Sequence, residues 1–178
     1  MTLYGLWIFS LVYFLAVATP GPGVAAIIAR SLAQGTRGSV AFIAGFLVGD
    51  LLWFIVAATG LAALAQTAQT AFLLVKYAGV AYLLYLAYRM WRTKPQLGND
   101  NAEVLSAESR SRLFLGSLAL TLGNPKTMVF FLALLPTVIQ LDRLDLADFA
   151  EITAAMSIVL PLVLGGYALV AARARRFF

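Results

Sequence analysis

The chain contains no cysteine and no histidine. Their absence removes disulfides, thiol chemistry, serine–histidine catalysis and nearly every transition-metal site. Charge is scarce as well: Asp, Glu, Lys and Arg make up 12% of the 178 residues, against 62% hydrophobic. Mean hydropathy is +0.89. A soluble domain of this size cannot hide so much apolar surface, so lipid is the solvent for most of the chain. The net charge of +5 is modest, and its placement says more than its size. No cofactor, resident metal or nucleic-acid partner is expected.

What is present reads as an all-α, polytopic transmembrane protein. Five stretches are about 20 residues or longer, enough to cross a bilayer: near 3–29, 38–64, 69–91, 113–138 and 147–172. Ala16-Val17-Ala18 resembles a signal-peptidase site. Basic residues near Met1 are lacking, however, and the apolar run continues past Pro22 to Ala29, so we read a retained span. Ten of the 13 basic residues fall on one side: Arg30 and Arg37; Arg89, Arg92, Lys94, Arg110 and Arg112; Arg173, Arg175 and Arg176. That bias puts the amino terminus outside and the chain end in the cytoplasm of a cell with an inner (plasma) membrane. Asp142, Asp145, Asp148 and Glu151 read as an acidic, solvated outer loop.

The polar stretch 93–112 divides the chain into a first repeat, 1–92, and a second, 113–178, and reads as a cytoplasmic connector. Three spans in the first half predict that a second copy would insert upside down, giving an inverted repeat. The second half carries two spans. A sixth, matching 69–91, is expected to be missing after Phe178 or supplied otherwise.

Each half opens with an interrupted segment, Thr19-Pro20-Gly21-Pro22-Gly23 in one and Gly123-Asn124-Pro125-Lys126 in the other. Proline lacks an amide hydrogen and cannot continue a helix from behind, but it suits the first helical position after a cap. Asn124-Pro125 therefore reads as cap plus first residue of a new half-helix, and Thr19-Pro20, reinforced by Pro22, as its counterpart. Each new end would present free amide hydrogens and a positive dipole at membrane depth, which suits a carboxylate. Pro20, Gly21, Pro22, Gly23, Asn124, Pro125 and Lys126 are thus candidate substrate-binding residues. A pair of ordinary proline kinks is the plainer alternative.

Lys126 lies in an apolar segment, where a lysine costs about 2.5–3.5 kcal/mol on the insertion scale, and in the first turn of its half-helix, where a cation opposes the dipole. An anion nearby, the substrate carboxylate or Asp50, would offset both; snorkelling to the headgroups is the alternative. Asp50 is the one acidic residue deep in an apolar segment. It is a candidate for the substrate ammonium or the coupling proton, against a structural pair with Lys126 or Lys76. Gly45 and Gly49 precede it at a spacing that lets a neighbouring helix approach closely. Lys76, Tyr82 and Tyr85 are candidates for lining a cavity, with snorkelling or packing as the alternative; Tyr88 and Trp91 fit an interfacial belt.

These residues together resemble the LysE/RhtB amino-acid exporters. The resemblance rests on Thr19-Pro20-Gly21-Pro22, Gly45-Phe46-Leu47-Val48-Gly49-Asp50, the run from Lys76 to Leu86, and Asn124-Pro125-Lys126 followed by Phe130-Phe131 and Leu135-Pro136. It covers about 1–140. Gly23 stands where many members carry an acidic or amide residue, and Thr137 where an amide is common. The resemblance implies an inner-membrane antiporter that exports amino acids or close derivatives, driven by the proton gradient, with six spans. Partners would be the small-molecule substrate, protons and lipid; a homo-oligomer is left open. Three other readings compete. A metal-ion exporter would need more hard ligands than one intramembrane aspartate. An intramembrane hydrolase would need Ser117 or Ser157 paired with Lys126. A scaffold would move no solute.

Overall fold

The computed structural model describes residues 2–61, 77, 109–139 and 144–175, and all regular structure among them is helical. We number the helices α1 (Leu3–Ala18), α2 (Pro22–Gln34), α3 (Ser39–Val56), α4 (Arg110–Leu122), α5 (Pro125–Val138) and α6 (Leu146–Ala174). A π-helical turn, Ala57–Leu61, extends α3. Another, Phe130–Leu134, lies inside α5. It falls just ahead of Pro136, whose missing N–H and bulky ring disturb the regular ladder of the preceding turn.

Two helices, Ser39–Gly60 and α6, are long and apolar enough to cross a membrane unaided. The pairs α1–α2 and α4–α5 also qualify, but each is bent, by 57° and 54°, at the proline-bearing interruptions. Among the described residues, four of the expected segments thus form two continuous helices and two bent helix pairs. Apart from Tyr77, the expected span 69–91, with Lys76, Tyr82 and Tyr85, and the connector as far as Glu108 lie outside the described residues.

One boundary and one loop differ from expectation for local reasons. The first segment runs to Gln34 instead of stopping near Ala29. Arg30 is buried there and donates to Gln34 Oε1 (2.9 Å) and to the Arg37 carbonyl (3.0 Å), bracing the turn into α3. Gly35 and Gly38 supply the positive φ angles of 68° and 80° that this turn requires. The acidic loop is largely helix: Asp145 caps α6 by accepting the Asp148 N–H at 2.7 Å, and Asp148 sits in the first turn. There a carboxylate favours the positive end of the helix dipole.

Lipid removes the hydrophobic drive between helices, so close packing of small residues has to hold them together. At the α3–α4 contact, Gly45 rests on the Phe114 carbonyl and Ser117 Oγ, and Gly49 on Thr121. A Cβ on Gly49 would lie 2.7 Å from the Thr121 side chain. The small-residue spacing read from sequence is therefore a helix–helix seam. Helix α6 packs on α1, α2 and α3. Its buried stripe, Ile152, Met156, Leu160, Leu164 and Ala168, repeats every four residues, while Ile158, Leu162 and Leu169 face outward.

Candidate functional site

The first interruption leaves two helix ends facing one another in the apolar slab. Pro22, and not the expected Pro20, occupies the first position of α2, and Gly21, not Thr19, precedes it, in extended conformation without any side-chain cap. Thr19 closes α1, its hydroxyl donating to the Leu15 carbonyl. Pro22 has no N–H, so the Gly23 and Val24 amides open the helix. On the other side, the last carbonyls of α1 are met by donors from the second half of the chain. Tyr167 Oη on α6 donates to the Ala18 carbonyl at 2.7 Å. Lys126 Nζ on α5 donates to the Thr19 carbonyl, also at 2.7 Å. Unmet backbone groups at membrane depth cost several kcal/mol each, and these two contacts satisfy them.

The second interruption has the cap that sequence predicts. The Asn124 side chain accepts the Lys126 N–H at 3.0 Å, with Pro125 at the first helical position. Lys126 then reaches back across the first break, its stem and ammonium lying against Gly21. The ammonium therefore sits at the carboxyl end of α1, where a cation is favoured, rather than over the start of its own helix.

The two breaks line a single cavity of about 50 Å³, to which Thr19, Gly21 and Gly23 contribute from one and Asn124 and Lys126 from the other. Asp50 on α3 and Tyr13 on α1 complete it. Asp50 is 4% exposed. Tyr13 Oη donates to Asp50 Oδ2 at 2.6 Å, while Oδ1 is buried without a partner among the described residues. Lys126 lines the same cavity, yet among the described residues no ion pair joins it to this carboxylate. One carboxylate oxygen is thus anchored and the other left for a donor, with a cation and uncapped amides across the same space. Phe130 and Phe131 pack against the Tyr13 ring, at centroid distances of 5.8 and 6.4 Å, and line the same cavity.

Of the residues singled out from sequence, Gly21, Gly23, Asn124, Lys126 and Asp50 meet at this cavity, and Pro20, Pro22 and Pro125 shape its backbone. The serine–lysine dyad does not form. Ser117 Oγ donates to the Phe114 carbonyl, Lys126 is engaged with Thr19, and Ser157 is exposed on α6. Sequence reasoning missed Tyr13 and Tyr167, and read Phe46 only as part of a motif and not as a cavity residue. A signal for Tyr13 existed: a tyrosine buried in an apolar helix needs an acceptor for its hydroxyl, and Asp50 was the acidic group at depth.

Broken helices that bring uncapped amides, a cation and a half-partnered carboxylate to one cavity in a polytopic helical protein define a membrane translocator. The chain belongs to the LysE type translocator family, whose family model matches residues 5–178. It is 34% identical over 155 residues to the homoserine/homoserine lactone efflux protein of Salmonella typhimurium, covering 87% of this chain and 74% of that one. It is 30% identical over 128 residues to the leucine efflux protein of an Enterobacter species, covering 71% of this chain and 60% of the relative. No solved structure matches it.

Proposed function

We propose that this protein exports amino acids or close derivatives across the inner membrane by proton-coupled antiport. The observation that carries the reading is the cavity itself, which offers partners of opposite character for the two charges of a zwitterion. The substrate carboxylate takes the Gly23 and Val24 amides at the start of α2, with Asn124 and Lys126 beside them. The ammonium, or the coupling proton, takes the free oxygen of Asp50. Residues 1–92 and 113–178 act as inverted repeats that rock about this site, and 93–112 links them on the cytoplasmic side. The names of the two efflux relatives support the substrate class. A metal-ion exporter has less support, because among the described residues Asp50 is the single carboxylate lining the cavity and hard cations take several oxygen ligands.

The test is a comparison of homoserine with its carboxamide, by binding to the purified protein and by uptake into inside-out vesicles. Losing the carboxylate removes charge-assisted hydrogen bonds worth about 1.5–3 kcal/mol, so the amide should bind about tenfold more weakly or worse. Equal binding of the two would defeat the carboxylate cradle, and no uptake of any amino acid would defeat the export reading. The proposed orientation has its own check. The chain has no cysteine, so single cysteines at Arg37 and Asp145 report directly. In intact cells a membrane-impermeant maleimide should label the second and spare the first; the reverse pattern would invert the topology.

A further inference from the structure

Phe46 lies one turn before Asp50 on α3, so both face the cavity from the same side of the helix. Its ring tip lies against Gly23 so closely that a Cβ on Gly23 would collide with Cζ of the ring. Phe42, one turn earlier, stacks behind it with ring centroids 6.0 Å apart, and both phenylalanines are buried. The ring is therefore held between its backing neighbour and the backbone of α2.

Size gives this arrangement a consequence. The cavity is open on one side and measures about 50 Å³, and one water needs about 10–15 Å³ by the same measure. The amine, Cα and carboxylate of an amino acid take up nearly all of that space. Phe46 touches Gly23 at the carboxylate end and sits one turn from Asp50 at the amine end, so its ring flanks the position of Cα. We propose that Phe46 is the specificity-determining residue of the site: it limits the substrate to amino acids with short side chains, and Gly23 is what allows the ring to stand there. The assignment rests on the export reading above.

The experiment is counterflow in proteoliposomes with alanine, homoserine, leucine and phenylalanine, using the wild type, Phe46→Leu and Phe46→Ala. The wild type should favour alanine and homoserine over the larger pair. Removing the ring should raise the leucine-to-homoserine ratio by on the order of tenfold for each methylene newly admitted, and Phe46→Ala should shift it further than Phe46→Leu. A wild type that carries leucine as well as homoserine would overturn the assignment, as would an unchanged ratio in the variants. So would loss of all transport in both variants while they reach the membrane at wild-type levels, since the ring would then be structural. A wild type that transports none of the four sinks the export reading instead, so the two failures are told apart.

Discussion

Asp50→Asn should lower proton-driven export of homoserine by about tenfold or more. Asparagine has nearly the shape of aspartate and can still accept the Tyr13 hydroxyl hydrogen bond, now 2.6 Å long, so the helix packing should survive. What disappears is the negative charge at the oxygen that none of the described residues satisfies. A hydrogen bond to a charged group is worth about 1.5–3 kcal/mol, and each 1.4 kcal/mol is about a factor of ten. Two assays separate the two roles open to this carboxylate. If Asp50 carries the proton, exchange of labelled for unlabelled homoserine should persist in the variant while gradient-driven accumulation stops. If it holds the ammonium, both should fall together. Unchanged rates in both assays would leave Asp50 as a packing element held by Tyr13.

Lys126→Met should weaken homoserine binding by about 10- to 100-fold through loss of the charge-assisted contact to the carboxylate. The complication is that Lys126 already serves the Thr19 carbonyl, so the variant also strips one end of α1 of its donor. The carboxamide resolves this. It offers no carboxylate, so its binding should hardly change if Lys126 acts on the substrate. Equal losses for homoserine and its amide would assign Lys126 to the tie across the first break and nothing more. The two functions are compatible in principle, because the ammonium has three donors and one suffices for Thr19.

Both predictions depend on contacts that join distant parts of the chain, and this divides what could be read in advance from what could not. The membrane setting follows from composition alone, since apolar surface on that scale has no aqueous solution. The two interruptions follow from local covalent chemistry. A proline at the first position of a half-helix acts within a single turn, so Thr19-Pro20-Gly21-Pro22 and Asn124-Pro125 mark the breaks without reference to any other residue. Gly45 and Gly49 likewise declare a seam by spacing, though not the helix that fills it, which proves to be α4.

Which group answers which was decided by tertiary structure. Tyr13 and Asp50 are 37 residues apart, Lys126 and Thr19 107, Tyr167 and Ala18 149. Such pairs form only once the rotation and depth of each helix are set by packing against all the others, and no local pattern encodes those quantities. Lys126 shows the difference most plainly. Within its own segment it is a cation at the unfavourable end of a helix dipole. In the folded protein its long stem carries the charge to the favourable end of another helix, because the two broken spans meet where each leaves its backbone unpaired.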